Sequence, residues 1–334
     1  MKNSRSGENT ARIVAQYQGK YRVRLGDNEL WAAVTGKHMH RAESVRDYPV
    51  VGDLVNITDI GHGSAVIRDI LPRKNILERK AAGKNSLQPI AANVDAAFIV
   101  QAVDRDFNLN RFERYITITR AAKIRPVLVL NKIDLITPGE LEEKTKLVEA
   151  RFENTPLLTT SIFLEDGVNK LFRAVKKGEV YCLLGSSGVG KSALINKLLG
   201  EELLKTREIS AQTKKGKHTT THRELFVLKG GGMIIDNPGM REVGLADARE
   251  GVKSVFSEIE DLGKTCKFAD CTHQHEPGCA VLEAVRSGLL SESKYKNYLK
   301  LRKEAEHYEM TDFERRAKDR RFGKMVKAYK KQKK

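Results

Sequence analysis

One segment of the sequence has the spacing of a phosphate-binding loop. Residues 185–192 read Gly-Ser-Ser-Gly-Val-Gly-Lys-Ser, which matches G-x-x-x-x-G-K-S/T, between a predicted buried strand at 180–184 and a predicted helix at 192–199. Such a loop directs backbone N–H groups at phosphate oxygens beside a helix N-terminus, which favours negative charge. We expect Lys191 to reach the β- and γ-phosphates of a nucleotide and Ser192 to ligate Mg²⁺. The predicted phosphate-binding residues are Gly185, Ser186, Ser187, Gly188, Val189, Gly190, Lys191, Ser192 and Ala193.

A second segment has the residue types that recognise a guanine base. Residues 131–134 read Asn-Lys-Ile-Asp and follow an apolar strand at 127–130. The Asp134 carboxylate can accept hydrogen bonds from guanine N1–H and N2–H₂, whereas adenine would leave it unsatisfied, so the base is discriminated. After the next predicted strand, Ser161 and Ile162 stand where GTPases supply a backbone N–H to guanine O6, with Ile162 in place of the usual Ala; a plain turn is the alternative there. The predicted base-binding residues are Asn131, Lys132, Ile133, Asp134, Ser161 and Ile162.

A third group of residues predicts a magnesium and γ-phosphate sensor. Asp236-Asn237-Pro238-Gly239 ends an apolar strand and matches D-x-x-G, in which the Asp holds Mg²⁺ through water and the Gly N–H contacts the γ-phosphate. Among the threonines at 219–221, we favour Thr220 as the Mg²⁺ ligand of the first switch.

The residue after the D-x-x-G motif is Met240, whose thioether cannot orient a water molecule, so unassisted hydrolysis should be slow. His218 is the best replacement, because an imidazole accepts a proton near neutral pH. An RNA contact or a structural contact is the equally weighted alternative for His218.

The order of these motifs is unusual, because residues 131–134 precede the phosphate loop by about fifty residues. Circular permutation of the chain builds the same sheet from a different starting strand. The phosphate loop and the base-reading carboxylate must then meet across one nucleotide.

Three cysteines and a histidine lie within fourteen residues and predict a structural zinc site. The pattern is Cys266-x₄-Cys271-x-His273-x₅-Cys279, and three thiolates with one imidazole make a closed ligand set. From the residues alone His275 competes with His273 as the fourth ligand, and free thiols are the alternative. Cys182 lies in an apolar run and is expected in the core.

Composition limits the class of protein. The 334 residues carry a formal net charge of +17, and apolar residues make up 40%. These values favour a soluble globular protein, and apolar runs are too short to span a bilayer. The N-terminal residues lack the apolar stretch of a signal peptide, so we expect a cytoplasmic protein. Residues 315–334 hold eleven Lys or Arg and one acidic residue, which favours a polyanion such as nucleic acid over a solubility tail.

Hydrophobic periodicity predicts three folded regions. Five short strands punctuated by glycines indicate a small basic β-barrel, for which an OB-fold or an SH3-like barrel fits. Alternating strands and helices then indicate an α/β domain with a mainly parallel sheet, and the remainder is mainly helical. The predicted divisions are a disordered start at 1–10, an OB-fold barrel at 11–78, a linker at 79–90, a P-loop GTPase domain at 91–246, a zinc-binding helical domain at 247–310 and a basic tail at 311–334.

Together these motifs resemble the bacterial ribosome small-subunit-dependent GTPase family RsgA, also called YjeQ. The resemblance covers about residues 11–310. It implies an OB-fold, a circularly permuted GTPase domain and a zinc domain, with GTP hydrolysis that is stimulated by the small (30S) ribosomal subunit during its late maturation. It favours His273 over His275 as the zinc ligand and His218 as the catalytic histidine. Together with the motifs above, we predict that His218, Lys191 and Thr220 act in catalysis. We therefore expect GTP or GDP with Mg²⁺, one zinc ion, and the small subunit with its 16S rRNA as partners of a monomer that binds no membrane.

Overall fold

The computed structural model describes residues 9–17, 19–80, 87–104, 107–200, 223–236 and 248–309, together with residue 320. The chain forms two compact units, residues 1–244 and 245–334. None of the described helices combines the length and the apolarity that crossing a bilayer requires.

The first unit begins with a closed five-stranded barrel. Strands alternate inward apolar and outward polar residues, and the inward set includes Ile13, Val23, Ile57 and Ile67, all fully buried. The order β1-β2-β3-β5-β4 closes through β1–β4, and β3–β5 is the parallel pair. The barrel elements are β1 (Asn9–Gln16), β2 (Tyr21–Leu25), β3 (Asn28–Val34), α1 (Gly36–Arg41), β4 (Leu54–Gly61) and β5 (Ser64–Ile70). The predicted barrel is confirmed, and its strand order is that of an OB-fold.

The segment that was predicted as a linker differs from expectation. Strands β6 (Ile76–Lys80) and β7 (Leu87–Ala92) pair antiparallel, so residues 79–80 and 87–90 are strand. The prediction failed because charged residues in β6 and Pro89 in β7 interrupt a clean alternation, although the end of β7 is buried. Likewise Asn9 and Thr10, which were predicted to be disordered, pair with β4.

A mainly parallel sheet follows, as predicted. Its order is β10-β9-β8-β11-β13-β12, and only the β12–β13 hairpin is antiparallel. All seven residues of β8 are buried, as expected for a strand that is covered on both faces. Its strands are β8 (Ala96–Ala102), β9 (Arg125–Asn131), β10 (Leu157–Thr160), β11 (Val180–Leu184), β12 (Arg223–Val227) and β13 (Met233–Asp236). Its helices are α2 (Leu109–Ala121), α3 (Pro138–Arg151), α4 (Asn169–Ala174) and α5 (Lys191–Leu199).

The barrel and the parallel sheet share backbone hydrogen bonds. The end of β1 pairs antiparallel with β12, with Gln16 opposite Arg223. Arg223 Nη1 donates to the Pro89 carbonyl over 3.0 Å and to Gln16 Oε1 over 3.4 Å. Burial, with the nearby Arg79, lowers the pKa of Arg223 to about 10. Within the first unit, the barrel is therefore continuous with the strand that neighbours β13.

The second unit is helical, as predicted. Phe256 packs edge-on against Tyr298 with ring centroids 5.5 Å apart, and Tyr298 Oη donates to Glu260 Oε1 over 2.9 Å. Val252, Ile259 and other apolar side chains complete this core. The helices are α6 (Arg249–Val255), α7 (Ser257–Gly263), α8 (Ala280–Arg286) and α9 (Glu292–Glu309).

A buried ion pair holds the barrel loop that precedes β4. Asp53 is 0% exposed, and its two carboxylate oxygens accept from Arg73 Nε and Nη2 over 2.8 and 2.7 Å. The Val50 N–H also donates to Asp53. Gly52 has a φ of +95°, and a Cβ there would overlap the Ala92 carbonyl oxygen at the end of β7. The loop thus packs directly on the hairpin that follows the barrel.

We predict that Asp53→Asn lowers the free energy of unfolding by about 3 kcal/mol, because it leaves the Arg73 guanidinium largely buried without its counter-charge. Urea unfolding followed by the fluorescence of Trp31, the single tryptophan, measures this loss. Glu29→Gln is the matched control, because the Arg22–Glu29 pair is about one-third exposed and should contribute less than about 1 kcal/mol. Equal losses in the two variants would contradict the prediction.

Candidate functional site

The predicted phosphate loop connects the buried strand β11 to the N-terminus of α5. Gly185, with a φ of +150°, lies so close to β8 that a Cβ would overlap the Val100 carbonyl oxygen. Gly190, with a φ of +96°, immediately precedes α5, and a Cβ there would overlap Asn131 Nδ2. Both positions combine a left-handed backbone with close approach, so only glycine fits without strain.

The Lys191 ammonium lies over this loop. Its Nζ donates to the Gly185 carbonyl over 2.8 Å and to the Ser186 carbonyl over 2.6 Å. The ammonium is thereby held beside the backbone that is predicted to surround phosphates. The remaining predicted phosphate-binding residues differ in exposure: Val189 is buried, Ser192 and Ala193 are half-buried, and Ser187 and Gly188 are exposed.

The side chain of Asn131 joins the predicted base loop to the phosphate loop. Asn131 ends β9 and is 3% exposed. Its Nδ2 donates to the Val189 carbonyl over 2.7 Å, and its Oδ1 accepts from Thr160 Oγ1 over 3.0 Å. Two loops in reversed chain order therefore touch, at the carboxyl ends of two parallel strands, β9 and β11, that flank β8, where open α/β sheets bind ligands.

The predicted base-reading carboxylate is held by the loop after β10. Ser161 Oγ donates to Asp134 Oδ1, and the Phe163 N–H donates to the same Ser161 oxygen over 3.1 Å. Ile162 packs partly buried against the core of the sheet. Thus Ser161 contacts Asp134, although the two residues are 27 positions apart in the sequence.

The remaining residues of the 131–134 motif follow a tight turn. Lys132 has a φ of +64° and its Nζ lies 3.9 Å from a carboxylate oxygen of Asp104. Ile133 begins a short 3₁₀ turn that includes Asp134. Because the Lys132 backbone is left-handed, the chain turns sharply after β9. Asn131 then contacts the phosphate loop, and Asp134 contacts the loop after β10.

Asp236, the first residue of the D-x-x-G motif, ends β13 and lies in the electrostatic range of Lys191. Burial raises the pKa of Asp236, the Lys191 ammonium opposes this rise, and Glu224 reinforces it. Glu224 is opposite Asp236 in the β12–β13 register. A carboxylate of this kind, near the phosphate loop, suits a hard cation with oxygen ligands.

The Cys/His cluster has the dimensions of a tetrahedral metal site. The ligand atoms of Cys266, Cys271, His273 and Cys279 all lie within 4.8 Å of one another. Cys266 Sγ is 3.8 Å from Cys279 Sγ, and His273 Nδ1 is 3.6 and 3.5 Å from these two sulfurs. Tetrahedral zinc bonds would separate two sulfurs by about 3.8 Å and a sulfur from a nitrogen by about 3.6 Å. The four residues therefore fit zinc, and the cluster can hold a metal.

The backbone turns so that His273, and not His275, meets the cysteines. His273 has a φ of +62°, is 7% exposed, and its carbonyl accepts from Tyr295 Oη over 2.7 Å. Arg302 Nη2 donates to the neighbouring Thr272 carbonyl over 2.8 Å. The carboxylate of Glu276 accepts from the N–H groups of Thr272, Gln274 and His275. Gly263 lies so close that a Cβ would be 3.2 Å from His273 Nε2.

Sequence reasoning missed the residues that support both sites. Thr160 is fully buried and holds Asn131, and the only signal for it was its position at the end of a predicted strand. Glu276 and Tyr295 stabilise the cysteine loop through its backbone, which no motif records. The sequence predictions for His218, Thr220, Gly239, Met240, the disordered start at 1–8 and the basic tail at 315–334 lie outside the described residues, apart from Arg320 in that tail.

Comparisons with known proteins agree with this geometry. A family model described as RsgA GTPase matches residues 70–246. The chain is 42% identical, over 325 residues, to the small ribosomal subunit biogenesis GTPase RsgA 1 of Bacteroides thetaiotaomicron, covering 96% of this chain and 90% of that protein. It is 47% identical over 256 residues to the corresponding RsgA of Methanosarcina acetivorans, covering 76% of this chain and 69% of that protein.

Two solved structures share the fold. YjeQ from Thermotoga maritima is 28% identical, with a TM-score of 0.66 over 89% of this chain and 98% of that one. YloQ, described as a circularly permuted GTPase, is 21% identical and has a TM-score of 0.65 over 93% of this chain and 99% of that one. The second likeness concerns the fold alone.

Proposed function

The chain belongs to the RsgA GTPase family and is a GTP-hydrolysing enzyme, and on that premise we propose that it acts in late maturation of the small (30S) ribosomal subunit. In this proposal the small subunit stimulates hydrolysis, and the release of the protein from the subunit follows. The curated relatives carry the name small ribosomal subunit biogenesis GTPase, which supports the assignment of the partner.

One contact carries the proposal of a single guanine-nucleotide pocket. The 2.7 Å hydrogen bond from Asn131 Nδ2 to the Val189 carbonyl fixes the base loop against the phosphate loop. A triphosphate cradled by the loop at 185–192 then extends its base towards Asp134. The Asp134 carboxylate selects guanine, and the Ile162 backbone N–H binds guanine O6.

The reacting phosphates are stabilised by this chain's own donors. Backbone N–H groups of residues 186–192 surround the β-phosphate, beside the N-terminus of α5. The Lys191 ammonium, which lies beside the Gly185 and Ser186 carbonyls, offsets charge on the β- and γ-phosphates. Gly185 and Gly190 lie in close contact with Val100 and Asn131, which holds both ends of this loop in place before the nucleotide binds.

Magnesium is the expected partner of GTP. Ser192 and Thr220 would hold it directly, and Asp236 would hold it through water, with the Gly239 N–H on the γ-phosphate. When bound, the ion neutralises charge that develops on the phosphate oxygens.

His218 is the proposed general base, because Met240 cannot orient water. Its imidazole would accept a proton from the water that attacks the γ-phosphate in line. Binding to the small subunit would complete the site by placing His218 and Thr220 at the γ-phosphate and its magnesium ion.

Zinc is proposed for the Cys266, Cys271, His273 and Cys279 cluster. A Cys₃His set leaves no position for substrate, so the ion would be structural and would hold the loop between α7 and α8.

Basic regions are proposed to bind 16S rRNA. The barrel presents Arg22 and Arg24 on β2, and residues 315–334 add the basic tail. We propose a cytoplasmic monomer without membrane association, divided into the barrel at 11–78, the GTPase domain at 91–246 and the zinc domain at 247–310.

The decisive experiment measures multiple-turnover phosphate release with purified small subunits, with large subunits and with neither. We expect the small subunit alone to raise turnover. Stimulation by large subunits only would indicate a different permuted GTPase, and no stimulation by either would indicate an RNA-binding scaffold. His218→Ala should bind GDP normally and lose about a hundredfold or more of the stimulated turnover; full activity in this variant would remove the assignment to His218.

We predict that Asp134→Asn weakens GTP binding by about a hundredfold and transfers the preference to xanthosine triphosphate. The amide would place a donor opposite the guanine 2-amino group, whereas xanthine offers a carbonyl there. Competition binding with the two nucleotides measures the change. Asp104→Asn is the matched control, since it removes a carboxylate near Lys132 without touching the base; an unchanged preference in Asp134→Asn would contradict the base-reading role.

We predict that one zinc ion per chain protects three thiols from a thiol reagent, and that chelation exposes those three. Cys182 should react only after denaturation, because it is fully buried and burial raises its pKa to about 12. Zinc analysis with thiol titration measures both quantities. Cys182→Ser should keep the metal and Cys279→Ser should lose it; a full metal content in Cys279→Ser would exclude this ligand set.

A further inference from the structure

The loop after β10 is a closed, hydrogen-bonded structure. The Ser161 N–H donates to the Gly167 carbonyl and the Gly167 N–H donates to the Leu164 carbonyl, both over 3.0 Å. Gly167 approaches so closely that a Cβ there would overlap the Ser161 carbonyl oxygen. These contacts hold the backbone of residues 161–167 in one conformation.

Within this fixed loop, one aromatic ring faces solvent. Ser161 is 1% exposed and Ile162 packs against the sheet core, but Phe163 is 78% exposed. Among the large apolar side chains that the structure describes, only that of Leu289 is more exposed to solvent. The exposed ring does not contribute the stabilisation that burial of its apolar surface would give, so its apolar surface is free to contact a ligand.

The exposed ring belongs to the residue that is bonded to the base-reading pair. The Phe163 N–H donates to Ser161 Oγ over 3.1 Å, and the same oxygen donates to Asp134 Oδ1. Phe163 therefore lies two hydrogen bonds from the carboxylate that is proposed to bind the guanine edge. A base held at its edge by Asp134 still has two flat faces that need covering.

We propose that the Phe163 ring stacks on one face of the guanine base and thereby contributes to nucleotide affinity. This inference rests on the proposed function, because it requires that Asp134 binds guanine. Aromatic rings stack favourably on purine faces, whichever hydrogen bonds the edge makes.

Local charge favours a base over an RNA backbone as the occupant. Glu165 and Asp166 follow Phe163, and both are exposed. Their carboxylates repel phosphates, on which RNA affinity largely depends. A guanine base is neutral, so it can approach the ring without this penalty.

The test compares GDP with tripolyphosphate, which binds the phosphate loop but has no base. Phe163→Ala should raise the Kd for GDP about tenfold and leave the Kd for tripolyphosphate unchanged. Phe163→Tyr should retain the GDP affinity, because it keeps the ring. Phe172→Ala is the matched control, since Phe172 is an exposed phenylalanine on α4, and it should bind GDP like the unchanged chain.

A spectroscopic measurement separates stacking from a purely structural role. In the double variant Trp31→Phe and Phe163→Trp, the single indole should be quenched by saturating GDP and not by tripolyphosphate. A structural role predicts the same fluorescence with both ligands.

The two levels of the proposal fail differently. If the unchanged chain binds GDP and Phe163→Ala binds it equally well, the stacking role is overturned and the proposed function stands. The same conclusion follows if Phe163→Ala loses only the small-subunit stimulation, because the ring would then contact the partner. If the unchanged chain binds no guanine nucleotide, both the proposed function and the stacking role are overturned.

Discussion

The hydrogen bond between the Asn131 side chain and the Val189 carbonyl is the constraint on which the predicted nucleotide site depends. An amide that is 3% exposed leaves neither its donor nor its acceptor to water, so both need protein partners. Thr160 supplies the donor for Asn131 Oδ1, and Val189 supplies the acceptor for Nδ2. One side chain thereby fixes the phosphate loop, the base loop and the loop after β10. The reversed chain order has no effect on this arrangement, because parallel strands place their carboxyl ends at one edge whatever the connectivity.

The sheet that contains the predicted nucleotide site also pairs with a strand of the barrel. Strand β12 pairs with β13, which ends at Asp236, and on its other side with β1 of the barrel. Arg223, at the start of β12, donates to Gln16 of the barrel and to Pro89 of the β6–β7 hairpin. A shift of β12 along β1 by one residue would reverse its side-chain faces, so the pairing resists sliding. The barrel and the Asp236 strand are therefore held in one register within the first unit.

Local patterns predicted most elements, and long-range contacts account for the rest. Strand β11 was predicted with its observed bounds at Val180–Leu184, because five buried residues between turn signals suffice. The β6–β7 hairpin was missed, since charged residues in β6, Pro89 in β7 and a register shift between Leu77 and Glu78 break the alternation. The β1–β12 pairing joins residues more than two hundred positions apart, and single-sequence periodicity contains no information on such a pair. At the metal cluster, spacing left His273 and His275 open, and the left-handed backbone at His273 decides between them.

Because the chain is permuted, the segment after Asp236 leads to the helical second unit and not to the strands of the base loop. Strand β13 ends at Asp236, and the first described helix of the second unit begins at Arg249, so twelve residues separate the predicted magnesium-sensing position from that helix. In the usual order, the strands that carry the base loop would follow Asp236; here they precede it, as β8 to β10. A ligand that binds one state of Asp236 more tightly can bias the following segment only through its differential affinity for the two states.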